Sequence, residues 1–382
     1  MRKKILILAL FLLTAVLLSG CVGSTVWPGL SASGDVAYLA NTSAVHAIDV
    51  KSGQELWKHT GEGGGFLNTN PSLYVTTPVL TEDGLMIVLD SGNKHIIYAV
   101  DTKDINQDEK TPNVAWKFTG SDGHWIAPPL IIGNRLFAPN SDGNVYVLDM
   151  QDGQSNKEAI KVIELPSNPG EPGRLWAQPV TDGERLFVTS LDHSLYAINL
   201  ETYDILWHDD LGGAILSSPV LASDGMLYVG SFAKKMERFD PVTGQHDSVL
   251  DAQGWIWSTP VVEGDNLYFS DVEGYFYSYN TKEGRLNWDP IQPDNVSPEK
   301  AITASPLLLD GRILVAVESG DIYSISPEGQ ASLWHQGPDK GKIYTTLVSA
   351  GGYVLVAYTE SDYYLIALDQ DGDKKWTFPA GK

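Results

Sequence analysis

Cysteine is almost absent: Cys21 stands alone in 382 residues, so no disulfide can form within the chain and its stability must come from packing. Basic residues are scarce as well, with 26 Lys and Arg against 48 Asp and Glu and a formal charge of −22. Nucleic acid and anionic lipid would be repelled by such a body. The one long apolar run, residues 5–18, falls short of the roughly 20 residues a membrane-spanning helix needs. The eight histidines, His46, His59, His95, His124, His193, His208, His246 and His335, show no His-Glu-x-x-His pair. No Gly-x-Ser-x-Gly elbow and no Gly-x4-Gly-Lys loop occurs. Gly61-Glu62-Gly63-Gly64-Gly65 precedes a strand pattern and reads as a flexible loop. His208-Asp209-Asp210, the densest His and carboxylate cluster, reads as a solvated turn.

What is present begins with a targeting signal. Arg2-Lys3-Lys4, the short apolar run and Leu18-Ser19-Gly20-Cys21 are the parts of a secretory signal, and the last four resemble a bacterial lipobox. The expectation is a signal peptide over 1–20, a lipidated Cys21 with a tether over 21–26, and a single folded body over 27–382. The protein would then be exported and held by lipid at the cell membrane or the outer membrane, facing the periplasm or the exterior. An ordinary signal peptide with a chance cysteine is the alternative. Removing Arg2, Lys3 and Lys4 takes the charge to −25, which favours solubility and permits a basic partner.

A repeat organises the remainder. Ala47-x-Asp49-x3-Gly53-x3-Trp57 returns as Ala99-x-Asp101 leading to Trp116, then around Asn199 and Trp207, Asn280 and Trp288, and Asp369 and Trp376, with Trp334 in a looser copy. Each copy reads as an alternating strand, an Asx-closed turn and a second strand carrying Trp. Openings at Pro28, Pro78, Pro129, Pro179, Pro219, Pro260, Pro306 and Thr346 are spaced by 50, 51, 50, 40, 41, 46 and 40 residues. One hairpin cannot bury a Trp, so the copies must stack. The predicted fold is all-β: an eight-bladed β-propeller of four-stranded antiparallel blades. Units three and five lack the Trp and should pack less tightly. The stretches 101–113, 153–160 and 289–298 read as exposed loops.

The Ala-x-Asp-x3-Gly-x3-Trp pattern resembles the pyrrolo-quinoline quinone (PQQ) repeat, over nearly all of 27–378. The resemblance implies that Trp57, Trp116, Trp207, Trp288, Trp334 and Trp376 dock each blade on the next. One branch of that superfamily comprises quinoprotein dehydrogenases, which hold PQQ and Ca²⁺ in the funnel. The other, typified by BamB, is non-catalytic and serves the machine that assembles outer-membrane β-barrels. The lipobox, the eight units and the chain length resemble the second, which implies no PQQ, protein partners in the envelope and a monomeric propeller. The chain lacks the vicinal Cys pair common among the dehydrogenases.

For Ca²⁺ the better candidate is Asp104-x-Asn106-x-Asp108. Glu109 stands where the loop needs Gly and Ala115 where it needs the bidentate Glu, so a solvated loop is the stronger reading. Asp369-x-Asp371-x-Asp373 has the same defect. The candidate binding face comes from topology. Links between blades and turns between second and third strands should share one face around the axis. That places Phe66, Trp125, Arg174, Trp176, Trp257 and Tyr344 at the mouth with Trp255 nearby, surrounded by Asp142, Asp192, Asp271, Glu273, Glu318 and Glu360. The same aromatics could instead plug the channel. The expected function is a membrane-anchored binding scaffold without chemistry. The alternatives are an extracytoplasmic small-molecule receptor or sensor and, third, a PQQ-dependent dehydrogenase.

Overall fold

The second and third strands of the repeat are buried on both faces, as in Leu227–Gly230 and Leu365–Leu368. Outer strands such as Ile205–Asp210 alternate between half-buried and exposed. This gradient is what stacking of sheets on both sides produces. In the computed structural model, which describes residues 27–61, 71–166, 174–294 and 299–380, eight antiparallel blades stand in a ring. Blade 1 runs Gly29–Ser33, Val36–Asn41, Ala44–Asp49 and Glu55–His59, from the axis outward. Blade 8 ends with Lys374–Phe378 and packs on blade 1: Leu30, Leu39, Ile48 and Val50 share one core with Leu355, Leu365, Ala367 and Phe378. The predicted signal peptide, Cys21 with its tether, and Phe66 lie outside the described residues.

The repeat motif has a direct structural reading. Its Ala is the cross-strand partner of its own Trp: Ala47 faces Trp57, Ala99 faces Trp116, Ala197 faces Trp207 and Ala367 faces Trp376. The Asx closes the turn; Asn199 Oδ1, for example, accepts from the Glu201 and Thr202 amides at 2.8 Å. The Gly receives the indole of the preceding blade. At Gly53, whose φ is +70°, an added Cβ would stand 2.7 Å from the Trp376 ring; Gly244 meets Trp207 and Gly329 meets Trp288 in the same way. Each of these indoles then donates Nε1–H to the carbonyl just after the turn Asx or Ser: Trp376 to Val50 at 2.8 Å, Trp207 to Pro241 at 3.1 Å, Trp288 to Pro327 at 3.3 Å. Trp334 reaches Gln370 at 3.3 Å in the same fashion.

Units three and five depart from this in different ways. In blade 3, Lys161 takes the Trp position opposite Val147, and in blade 4 Tyr203 takes the Gly position with φ +63°. Tyr203 turns back into the gap: its hydroxyl meets Arg135, the Arg135 guanidinium lies 5.5 Å from its ring centre, and Phe137 packs beside it. The expected looseness at this interface is thus filled from the other side. At the interface after blade 5, Gly284 has only the Tyr279 hydroxyl, 3.8 Å from an added Cβ, so here the socket lacks its indole.

Two supposed loops are ordered. Residues 101–113 continue a long hairpin, Ile97–Asn106 with Thr111–Phe118. Within 153–160, Asn156–Lys157 adds a parallel fifth strand to the edge of blade 2. There Lys157 is buried, pairs with Asp152 and lies 5.5 Å from the centre of the Trp116 ring. An extra strand of this kind covers unpaired backbone at the edge. The eighth opening is also shifted by one residue. The Thr259 amide donates to Ser305 Oγ at 3.0 Å and the Ser305 amide to Thr346 Oγ1 at 3.3 Å, so Thr346 matches Ser305, and Leu347 takes the proline's place.

Candidate functional site

Backbone hydrogen bonds fix the mouth. In each of blades 2 to 8 an amide in the turn between second and third strands donates to the segment entering that blade's inner strand. The pairs are Ser91 to Leu73, Ser141 to His124, Leu191 to Arg174, Phe232 to Ala214, Val272 to Trp255, Glu318 to Ala301 and Thr359 to Lys342, all between 2.7 and 3.0 Å. Both sets of loops therefore share one face. The residue after each acceptor, namely Tyr74, Trp125, Leu175, Ile215, Ile256, Ile302 or Ile343, is fully buried between blades. The residue after that turns to the axis.

This register separates the predicted aromatics. Trp176, Trp257 and Tyr344 hold the axial position and line a cavity of about 490 Å³ with Trp27, Pro28, Leu73, Val75, Thr77, Ile126, Leu216, Thr345 and Thr346. Trp125 does not. It lies four residues before Pro129, whereas Trp176 and Trp257 lie three before Pro179 and Pro260, and with a side-chain period of two that single residue sends it inward. Trp125 is completely buried against Phe118 and Tyr146 and donates its Nε1–H to His95 O at 2.9 Å. Ile126 takes its place at the axis. Arg174 is exposed on the same face.

The aromatics are in contact. Trp27 stacks on Tyr344 at 5.3 Å and meets Trp257 edge-on at 5.3 Å; Phe232 lies 5.7 Å from Trp257 and stacks on Trp255 at 4.7 Å. Trp255 is 47 % exposed. The contact path thus runs from the cavity to the rim. Sequence reasoning missed Trp27 and Phe232. The signal for Trp27 was its place beside Pro28 at the start of the first inner strand; Phe232, in a turn, carried none.

Most polar groups of the cavity wall are already engaged. The Tyr344 hydroxyl donates to Glu318 Oε1 at 2.8 Å, and Lys342 Nζ donates to the same oxygen at 3.1 Å. Burial and then the Glu318 bond push the Tyr344 hydroxyl up to about 12, while its bond to Glu318 holds Lys342 charged well above the usual lysine range. The Thr345 hydroxyl donates to Pro28 O and Thr346 Oγ1 accepts from Ser305. By contrast, the buried indole nitrogens of Trp27 and Trp176 have no hydrogen-bond partner among the described residues.

The acidic surround is smaller than its sequence suggests. Asp192 and Asp271 are buried and accept from the Tyr196 and Tyr277 hydroxyls, each at 2.7 Å; burial, with the neighbouring carboxylate, pushes both phenols far above their usual range. Asp142 holds Tyr146 in the same way. Glu273 and Glu360 are exposed. Away from the mouth, Asp104 accepts from Asn113 Nδ2 at 2.8 Å and Asn106 Oδ1 from the Asp108 amide at 3.1 Å, which turns the blade 2 hairpin. Among the described residues no group of three or more His, Cys, Asp or Glu is arranged to hold a metal.

A family model described as outer membrane protein assembly factor BamB matches residues 22–160, 164–247, 247–336 and 294–382. The outer membrane protein assembly factor BamB of Shewanella oneidensis is 24 % identical over 316 residues, covering 80 % of this chain and 72 % of that protein. A polyvinylalcohol dehydrogenase of Sphingopyxis is 24 % identical over 226 residues, covering 58 % of this chain but only 29 % of the enzyme. Among solved structures, BamB from Moraxella catarrhalis superposes with a TM-score of 0.64 at 15 % identity, covering 87 % of this chain and 91 % of that one. The computationally designed Ika8 protein gives 0.65 at 13 % identity, covering 93 % and 96 %. These two share the fold.

Proposed function

This chain belongs to the family of the outer membrane protein assembly factor BamB, and from that premise we propose that it is a non-catalytic scaffold, held to an envelope membrane by lipid on Cys21, that binds protein partners through the mouth of its ring. The observation that carries this reading is the contact path from Trp255 and Phe232 at the rim through Trp257 to Trp27 and Tyr344 in the cavity. Aromatic groups gathered on one face are the usual anchors of protein recognition. Partners in barrel assembly follow from the names of the relatives, and the charge of −22 favours a partner with basic patches.

The test is to solubilise native membranes gently and purify the protein through a C-terminal tag. The scaffold reading expects components of a barrel-assembly complex to co-purify, and a Cys21→Ser form to leave the membrane fraction. Recovery of the propeller alone, from membranes in which that complex stays intact, would count against it. A second reading, a receptor for a small molecule, draws on the cavity, whose size lies within the roughly 300 to 1,000 Å³ of ordinary ligand pockets. Native mass spectrometry showing a retained small ligand would favour that reading instead.

A further inference from the structure

We propose that the mouth of the ring rests on the surface of the membrane that carries Cys21, with Trp255 and Tyr364 among zwitterionic headgroups. This rests on the lipid-anchor half of the scaffold reading and adds an orientation to it.

The orientation follows from where the chain enters the fold. Gly29, the first residue of the first inner strand, pairs with Ala40, beside the turn between second and third strands of blade 1, so that strand begins at the mouth. Trp27 stands two residues earlier, on the cavity wall against Trp257 and Tyr344. Six residue steps separate it from Cys21, and a chain of that length reaches at most about 20 Å however it runs. Lipid under the far face lies beyond that reach. The tether would have to pass over the blade to its outer strand and down the blade's height, roughly 30 Å together.

The exposed side chains agree with this placement. Among the large apolar side chains exposed on the described residues, the two aromatic ones, Trp255 at 47 % and Tyr364 at 43 %, both lie on the mouth face. The aliphatic ones, such as Leu56, Leu206 and Val242, lie on outer strands or in far-face turns. Trp and Tyr join an apolar ring to one polar atom and settle at the headgroup level. Charge then selects the lipid. Glu273 and Glu360 are exposed on the same face, so anionic headgroups are repelled, whereas contact through an indole and a phenol needs no headgroup charge. Trp255 enters blade 6, Phe232 stacked on it belongs to blade 5, and Tyr364 to blade 8. The contact therefore covers one arc and leaves the mouth over blades 2 to 4 open to a protein met at the membrane surface.

The experiment places the lipidated full-length protein in phosphatidylcholine vesicles that contain a headgroup nitroxide quencher. A bimane label is read at Asp362→Cys in the mouth or at Asp371→Cys in the far-face turn of the same blade. Once Cys21 carries lipid, the introduced thiol is the one free thiol of the chain. The label at 362 should lose most of its emission and the label at 371 should keep it. A Gly/Ser insertion of about 20 residues between Cys21 and Trp27 lifts the constraint of the tether. In that form the loss at 362 should persist, weaken when phosphatidylglycerol replaces phosphatidylcholine, and vanish when Trp255→Ser and Tyr364→Ser are added. Leu206→Ser with Leu333→Ser, exposed on outer strands, should change nothing. Equal loss at the two positions, greater loss at 371, or no loss at 362 in the long-tether form with Trp255 and Tyr364 intact would overturn the inference. Failure here stays distinct from failure of the anchor: a protein that leaves the membrane fraction only on Cys21→Ser, yet shows equal loss at both positions, keeps the anchor and rejects the orientation.

Discussion

The ring carries two belts of tryptophan that treat the same side chain oppositely. In the outer belt Trp207, Trp288, Trp334 and Trp376 each donate to a carbonyl of the next blade. At the mouth Trp27 and Trp176 have buried nitrogens without acceptors among the described residues. A fold that needs an indole for its own cohesion supplies both a seat and an acceptor. Trp116 is intermediate, since its nitrogen is also unpartnered among the described residues but its ring is covered by the added edge strand and Lys157.

The contrast can be broken at several points. The largest effect belongs to Trp376→Ala, which removes the indole that joins blade 8 to blade 1. It should cost about 3–5 kcal/mol in urea unfolding, and a loss below about 1 kcal/mol would mean that ring closure does not depend on it.

Next comes a buried group at a blade junction. His59 packs edge-on against Tyr74 and Tyr98, its Nε2 is buried without a partner among the described residues, and burial pushes it down to about 4. Because its folded pKa lies below the unfolded value near 6.5, the unfolded chain binds the extra proton first. Stability contributed by the neutral form is therefore whole above pH 6.5 and falls as pH drops from 6.5 to 4, by roughly 3 kcal/mol in all. Comparing urea midpoints of the parent and His59→Phe across that window should show a shallower decline in the variant, and identical declines would remove His59 as the cause.

A sharper probe uses two glycines of matched φ, +70° at Gly53 and +67° at Gly284. Substitution by Ala carries the left-handed backbone cost at both, about 1–2 kcal/mol. Gly53→Ala also collides with the Trp376 ring and should cost roughly 2 kcal/mol more. Equal losses would show that the socket adds nothing.

Smaller still is the exchange between blades 3 and 4. Tyr203→Gly should destabilise, Lys161→Trp alone should do little, and the two together should recover stability with a coupling of about 1 kcal/mol. Strict additivity would mean that Tyr203 does not stand in for the missing indole. The smallest stability change should be at the mouth, where Trp27→Phe keeps the ring contact and loses no hydrogen bond, so its unfolding midpoint should match the parent within about 0.5 kcal/mol.

Which of these features the sequence discloses depends on how local they are. Ala47, Asp49, Gly53 and Trp57 recur because each has a duty readable within one hairpin: cross-strand partner, turn closure, turn conformation and docking. The pairing of Gly53 with Trp376 joins residues at opposite ends of the chain, and nothing in the hairpin pattern names the partner. The same blindness explains blade 3. Lys161 reads as a defect until Tyr203 of the next blade is seen to fill the gap. At the mouth, spacing to the inner-strand proline would have separated Trp125 from Trp176 and Trp257, because one residue of register decides between core and cavity. The acids failed for another reason. Asp192 and Asp271 look like solvated turn residues, yet their carboxylates are consumed by the hydroxyls of Tyr196 and Tyr277 on the strand that follows each turn in the same blade.

Site-specific photo-crosslinking in native membranes bears most directly on the function proposed for this ring. A photoreactive residue at Leu216, on the cavity wall, should yield adducts with polypeptide, while one at Ser223, on the turn at the opposite face, should not. Adducts from Ser223 alone, or none from Leu216 in cells whose barrel-assembly complex is intact, would contradict the account.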